Sequence, residues 1–139
     1  MGNEYLKRQC TTTGDRSVWT WAGWVKNQNH KATSGIFGGY SSNSDANFIE
    51  LLWTSGSSNL TFQGSSTVYF NTNDSYYDNA GWLHIVVTLN SHEPVGRDRC
   101  KLYINGVQNN NFGTQNDCFG ADPRRVTPKA PDPRSPLYI

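Results

Sequence analysis

The chain has 139 residues, the length of one domain built around a single hydrophobic core. Twelve lysines and arginines against eleven aspartates and glutamates leave a net charge of +1, so we expect no nucleic-acid partner, which would require a basic surface. No stretch approaches the ~18 apolar residues of a membrane span, and residues 1–8 lack the apolar core of a secretory signal. We therefore expect no membrane partner either.

The first strand signal covers residues 17–26, where tryptophans and small residues alternate with a period of two. Trp19, Trp21, Gly23 and Val25 share one face, which we predict to point inward. A polar loop then leads to residues 35–40, whose glycines predict a short strand with a bend. Further short strands, separated by Gly, Ser and Asn clusters, are predicted at residues 48–53, 60–62 and 68–70.

The strongest strand signal lies at residues 82–89. Its alternation places four apolar residues on one face, namely Leu83, Ile85, Val87 and Leu89. The other face carries a mixed set, namely Trp82, His84, Val86 and Thr88. Residues 100–104 form the next strand, and the Asn105-Gly106 pair after it predicts a type I′ hairpin, whose turn needs two residues with positive φ. No segment has helical periodicity, so the pattern predicts an all-β antiparallel sandwich.

The composition changes near Asp117, because all 15 asparagines precede it and five of the six prolines follow Ala121. We therefore predict a sandwich over residues 1–117 and an extended Pro/Arg-rich C-terminal arm over residues 118–139. Its prolines should keep it out of a sheet interior. The residues that we expect to act in assembly, by binding a neighbouring subunit, are Arg124, Arg125, Leu137, Tyr138 and Ile139.

The three cysteines, Cys10, Cys100 and Cys118, are odd in number and far apart in the sequence. That spacing matches neither a dense disulfide framework nor a zinc site with paired short intervals. We expect buried or idle thiols.

Three blocks carry a resemblance to a known family: residues 19–26 (WTWAGWVK), 82–87 (WLHIVV) and 101–107 (KLYINGV). In this order and spacing they resemble the laminin G-like, concanavalin A-like jelly-roll domains. Residues 5–8 before the Trp-rich strand resemble, more narrowly, the branch found in virion proteins of tailed bacteriophages and other viruses of aquatic microbes.

The resemblance implies two packed antiparallel sheets, and it also implies an incomplete C-terminal end. Domains of this family usually continue past the Asn-Gly hairpin with further strands, whereas this chain enters its proline-rich tail. Unpaired sheet edges promote aggregation. We expect the chain's own tail, a neighbouring subunit or another chain to cover them, or else the sequence is that of a truncated product.

The residues argue against an enzyme. Hydrolases with this fold place a pair of carboxylates about the scissile bond, but Glu50 is the only glutamate in a predicted strand and has apolar neighbours. An outward charge on an amphipathic strand explains it. His84 lies in mid-strand without a nearby acid, which predicts a structural histidine.

No cofactor is required by the sequence, although the resemblance makes calcium a candidate. Two loop groups could supply oxygen ligands: Asp45 with Asn47, and Asp74 with Asp78. Turn-forming Asp and Asn explain these residues equally well.

Glycan binding would need an exposed aromatic side chain with amide or carboxylate groups beside it. The loop residues Tyr76, Tyr77, Asp78 and Asn79 offer that combination. The same side chains could instead pack the loop onto the sandwich.

Two hypotheses of function follow. The first is a non-enzymatic structural or adhesion protein located in a virion, either decorating the capsid or forming part of a tail fibre, and assembled as a homo-oligomer or with other virion subunits. The second is a free-standing glycan-binding module of an extracellular or cell-surface protein.

Overall fold

The computed structural model describes residues 7–9, 15, 17–27, 31–40, 48–64, 67–77, 81–118 and 136–138. These residues form two packed antiparallel sheets, as the alternating pattern predicts. The helical structure of the described residues is a single 3-10 turn at Gly96–Arg99. None of those residues belongs to a helix with the length and apolarity that crossing a bilayer requires.

The larger sheet has seven strands in the order β1-β11-β3-β4-β5-β6-β10, and the smaller has four in the order β2-β7-β8-β9. The strand bounds are β1 Lys7–Gln9, β2 Val18–Val25, β3 Ser34–Tyr40, β4 Phe48–Trp53, β5 Asn59–Gly64, β6 Thr67–Ser75, β7 Leu83–Asn90, β8 Cys100–Ile104, β9 Val107–Asn109, β10 Phe112–Gln115 and β11 Pro136–Tyr138.

The smaller sheet is built on β2 and β7, which pair along their whole length from Val18 opposite Asn90 to Val25 opposite Leu83. Their alternation is confirmed: the predicted inward residues of both strands face the core, and Ile85, Val87 and Leu89 are fully buried. Burying one such aliphatic side chain stabilises the fold by roughly 1.5–3 kcal/mol. The other face of this sheet points away from the core.

The larger sheet supplies the opposite wall of the core. The predicted bend in β3 is confirmed as a register shift between Gly35 and Phe37 where β3 pairs with β4. Leu51, Phe62 and Phe70 lie opposite one another on neighbouring strands and are buried. The ring of Phe62 lies 5.4 Å from that of Phe70, so large aromatic side chains fill the space between the sheets.

The predicted type I′ hairpin is confirmed between β8 and β9, where Asn105 and Gly106 have φ angles of 50° and 83°. The chain then crosses to the larger sheet, where β10 pairs with β6. The cluster of asparagines around this crossing ties the two sheets together at one rim.

The expectation that prolines keep the tail out of a sheet interior is wrong for residues 136–138. These form β11, whose backbone pairs with β1 on one side and with Gly38 and Gly39 of β3 on the other. Only three residues enter the sheet, and Pro136 is the first of them, a position where its missing N–H is tolerated. The tail thus covers the β3 edge. Residues 119–135 lie outside the described part, so the boundary at residue 118 stays a prediction.

The expectation of buried or idle thiols is wrong for two cysteines, which are buried but not free. Cys100, at the start of β8, and Cys118, after β10, form a disulfide with a Cα–Cα distance of 6.1 Å. The bridge links the two sheets at one end. Buried Arg99 reinforces it by donating hydrogen bonds to the carbonyl oxygens of Glu93 (2.9 Å) and Cys118 (3.4 Å). The two cysteines are 18 residues apart in the sequence, and the packing of the sheets brings them together. The spacing of the cysteines alone therefore did not predict the disulfide. Cys10 lies outside the described residues.

Candidate functional site

The outer face of the smaller sheet displays two exposed tryptophans. Trp24 of β2 is 65% exposed, and Trp82, which immediately precedes β7, is 61% exposed. His84 lies two residues after Trp82 and is paired with Trp24 across the strands. The ring centroid of His84 is 5.0 Å from that of Trp24. We call Trp24, Trp82 and His84 the aromatic surface. Exposed large apolar side chains in a cluster are informative, because isolated ones need no explanation and clusters mark interaction sites.

The β2–β7 register fixes the geometry of the aromatic surface. Trp24 lies directly opposite His84. Trp82 precedes β7 by one residue, and extending the β7 alternation to it places Trp82 diagonally from Trp24, at roughly 7–8 Å between Cα atoms. The hairpin turn clamps this point of the sheet: Asn105 N donates to His84 O (2.8 Å), and His84 N donates to Asn105 Oδ1 (3.0 Å). The rings are thus displayed on a rigid scaffold.

The row next to the aromatic surface is mixed in character, with two half-buried residues on the inner strands and two exposed residues on the outer strands. Ala22, Val86, Tyr103 and Gln108 lie opposite one another across the four strands of the sheet. Apolar and aromatic groups beside a few side chains that can donate and accept hydrogen bonds form the usual lining of a small-molecule site. This face therefore has the composition needed to bind an amphipathic ligand such as a sugar.

A second cluster occupies the rim where β6 meets the chain after β9, and it contains two residues predicted from the sequence. Asp74 accepts hydrogen bonds from Asn111 Nδ2 (3.0 Å) and Asn109 Nδ2 (3.4 Å). Asn109 Nδ2 also donates to the hydroxyl of Tyr76, and Asn73 Nδ2 donates to Asn111 Oδ1 (2.8 Å). These polar groups satisfy one another, so the rim network holds the crossing between the sheets.

Tyr76 packs its loop onto the sandwich, which was the alternative to glycan binding for this loop. Its half-buried side chain lies against the core. Burial and the nearby Asp74 carboxylate raise the pKa of Tyr76, while the hydrogen bond with Asn109 lowers it. Tyr77 is exposed beside it. Asp78 and Asn79 lie outside the described residues, so a glycan site at Tyr77 stays a prediction.

The calcium candidates are only partly described. Both carboxylate oxygens of Asp74 face amide nitrogens, which are donors and not metal ligands. Asp45, Asn47 and Asp78 lie outside the described residues. Within the described ranges, no three His, Cys, Asp or Glu side chains come together in the manner of a metal site.

Of the predicted arm residues, the structure describes only the backbone of two. Leu137 and Tyr138 lie in β11, between β1 and β3 of the chain's own larger sheet. Arg124, Arg125 and Ile139 lie outside the described part. Their role in assembly stays a prediction.

The carboxylate considered for catalysis, Glu50, faces away from the core on β4. The residues opposite it are Gly38 and Gln63, and Gln63 Nε2 donates to its Oε1 at 2.7 Å. Neither neighbour in the register is a second carboxylate, the partner that glycoside hydrolysis needs.

A Ser-His-Asp grouping that the sequence did not indicate lies at the start of β2. Ser17 Oγ donates to Asp15 Oδ1 (2.6 Å) and lies 3.2 Å from His92 Nε2. In a nucleophilic triad the acid orients the histidine, which takes the serine proton. Here the acid itself holds the serine hydroxyl, so the contacts do not activate Ser17 as a nucleophile. The same hydrogen bonds lower the pKa of exposed Asp15.

Comparison with protein families decides the kinship of the chain. The family model of the laminin G-like group in the concanavalin A-like lectin/glucanase superfamily matches residues 1–127. The chain belongs to this superfamily. Comparisons with curated proteins and with solved structures returned no significant match. The family resemblance seen in the Trp-rich, Trp-His-Ile-Val and Asn-Gly blocks is thereby confirmed.

Sequence reasoning missed the aromatic surface, although the signal was present. The alternation that sends Trp19 and Trp21 inward sends Trp24 outward, and the alternation of β7 leaves His84 and Trp82 on its other face. The pairing of β2 with β7, and its register, brought these residues together.

Proposed function

We propose that this chain is a non-enzymatic adhesion module that binds carbohydrate through the aromatic surface. The observation that carries the proposal is the pair of tryptophans, Trp24 and Trp82, each more than half exposed on the outer face of a rigid lectin-type sheet. The apolar face of a sugar ring can stack on an indole ring. His84 and the polar side chains of the neighbouring row supply groups that can bind hydroxyls.

The rim network supports a weaker case for the same activity. The Tyr76 hydroxyl and the Asp74 carboxylate are engaged with asparagine amides, so a ligand would have to displace bonds that hold the sheets together. A ligand on the aromatic surface displaces only water. This difference favours the aromatic surface over the rim.

We further propose that the module works in a virion, as a capsid-decorating or tail-fibre protein. The support is the resemblance of residues 5–8 and the Trp-rich strand to virion proteins, together with a basic tail that continues beyond the described core. In the alternative, the same module is a free-standing glycan-binding part of a surface or secreted protein. Both versions share the carbohydrate site, and they differ in the assembly partner.

A glycan array with purified wild-type protein tests the carbohydrate site. Removing a stacked ring should weaken binding by about tenfold, so Trp24→Ala and Trp82→Ala should each lose most of the signal. The matched control is Val107→Ala, which trims an exposed apolar residue on β9 of the same sheet and should change nothing. Repeating the array with a chelator shows whether calcium takes part.

Several outcomes contradict this assignment. Loss of binding in Tyr77→Ala, with the tryptophan variants unchanged, would move the site to the rim. Absence of any glycan signal would overturn the carbohydrate function. Polysaccharide cleavage that Glu50→Gln abolishes, with folding intact, would overturn the non-enzymatic assignment.

The virion assignment has its own test. Mass spectrometry of purified particles from the virus that encodes the chain should detect it in stoichiometric amounts. A chain that stays in the soluble fraction and is absent from the particles favours the free-standing module.

A further inference from the structure

The outer strand of the smaller sheet, β2, lacks the features that usually protect a sheet edge. It has eight residues with no charged side chain and no proline. The other three edge strands are shorter: β1 and β9 have three residues each, and β10 has four with an irregular register. Exposed, long and uncharged edge strands are sites where another strand pairs.

The hydrogen-bond phase of β2 shows which of its backbone groups point outward. Ser91 N donates to Ser17 O at 2.8 Å, which makes Ser17 and Ser91 a hydrogen-bonded pair in the β2–β7 register. Because such pairs alternate in antiparallel sheets, Trp19, Trp21 and Gly23 also bond to β7. The even-numbered residues therefore direct their N–H and C=O groups away from the sheet.

The β7–β8 pairing gives the same phase independently. Asn105 N donates to His84 O at 2.8 Å, so the even-numbered residues of β7 bond to β8 and the odd-numbered ones are left for β2. At the start of β2, the Asp15 carboxylate accepts hydrogen bonds from Ser17 N (2.8 Å) and Ser17 Oγ (2.6 Å), next to the outward N–H of Val18. The open edge that remains consists of the backbone groups of Thr20, Ala22 and Trp24, and no other strand of the described chain pairs with it.

We propose that the open edge pairs antiparallel with the open edge of a second copy of this chain, about a two-fold axis at Ala22. Thr20 then lies opposite the partner's Trp24, and Ala22 lies opposite the partner's Ala22. The two four-stranded sheets join into one continuous sheet of eight strands. Such an interface is isologous, because each copy offers the same groups that it needs from the other.

Charge complementarity favours a second copy over an unrelated strand. In this register Val18 lies opposite the partner's Lys26, and the Asp15 carboxylate lies at the same end of β2, where Ser17 N and Ser17 Oγ hold it. The Asp15 carboxylate and the partner's Lys26 ammonium are thus neighbours of opposite sign, and the symmetry forms this pair twice. At the axis the side chains are small, so Ala22 and Thr20 leave the Trp24 rings accessible on the outer face.

Sedimentation velocity of the full chain over a range of concentrations tests the proposal. The wild-type chain should dimerise, and Ala22→Pro should be monomeric, because proline removes an outward N–H without breaking a bond to β7. Lys26→Glu should weaken association by about tenfold or more, since it places two carboxylates together at both ends. The double variant Asp15→Lys with Lys26→Glu should recover most of it. Lys101→Glu, a charge reversal on β8 of the same sheet, is the matched control and should leave association unchanged.

The outcomes separate this proposal from the proposed function. A wild-type chain that stays monomeric at high concentration overturns the dimer, as does a dimer that Ala22→Pro and Lys26→Glu leave intact. A melting curve of each variant shows that it is folded. The two tests use different variants and different readouts, so a negative dimer result leaves the array result unaffected, and a negative array leaves the sedimentation result unaffected.

Discussion

Strand β2 carries three tryptophans within six residues, and they face opposite environments. Trp21 stacks on Phe37 with ring centroids 4.7 Å apart, and Trp19 meets Phe37 and Phe62 edge-on at 6.2 and 6.1 Å. Trp24 contacts His84 and leaves 65% of its surface in solvent. The three residues have the same side chain and the same strand conformation, and only the parity of their position differs.

This difference separates stability from binding. An inward tryptophan stabilises the fold by removing apolar area from water, and its loss leaves a cavity. An outward tryptophan contributes less to folding, because most of its area stays hydrated in both states. A large apolar side chain kept outward beside a second one is therefore a marker of interaction.

The largest expected effect tests this contrast directly. Trp21→Ala should lower the free energy of unfolding by roughly 3–5 kcal/mol, toward the lower end because the side chain is only partly buried. Trp24→Ala should change it by less than about 0.5 kcal/mol. Urea denaturation of both variants measures the difference. Equal losses would mean that the outward ring also supports the core.

Removal of the disulfide should cause the second-largest loss of stability. The double variant Cys100→Ala with Cys118→Ala should lose about 3 kcal/mol of stability, since the bridge closes a loop of 18 residues between the sheets. Glycan binding by the folded fraction should persist, because the aromatic surface lies on β2 and β7. Unfolding curves and the array, each with and without reductant, check both statements. Loss of binding without loss of folding would tie the aromatic surface to the bridge.

Gly23→Ala, on the inward face of β2, should lower stability by less than removal of the disulfide. A Cβ atom on Gly23 would lie 2.8 Å from two atoms of the Trp21 ring, so the ring must move. We expect a cost of roughly 1–3 kcal/mol in unfolding free energy. Gly35→Ala is the control, because a Cβ there meets nothing within 4 Å. Equal stability of both variants would show that the Trp21 ring shifts freely.

The smallest expected effect is the loss of stability at low pH that comes from protonation of Asp15. Hydrogen bonds from Ser17 hold the pKa of Asp15 below its usual 3.8. A lowered pKa in the folded state means that the charged form stabilises the fold above pH 3.8 and that this contribution disappears as the pH falls through the lower folded value. An NMR titration of Asp15 should show the shift, and Asp15→Asn should abolish this part of the pH dependence. An unshifted titration would mean that the contacts of Asp15 do not persist in solution.

The sequence determined the local part of this structure. The period-two alternation of β2 and β7 set which residues face the core, and Asn105-Gly106 set the hairpin, because both depend only on neighbours along the chain. The bend of β3 was also predicted from its glycines. Kinship with lectin-like domains followed from blocks that lie within single strands or one hairpin.

Only the tertiary structure decided the features that join distant segments. The disulfide between Cys100 and Cys118, the entry of β11 beside β3, and the pairing of Trp24 with His84 each depend on which strands become neighbours. No local pattern contains that information, because every strand offers the same backbone donors and acceptors, and the order of strands is fixed by packing the two sheets around one shared core.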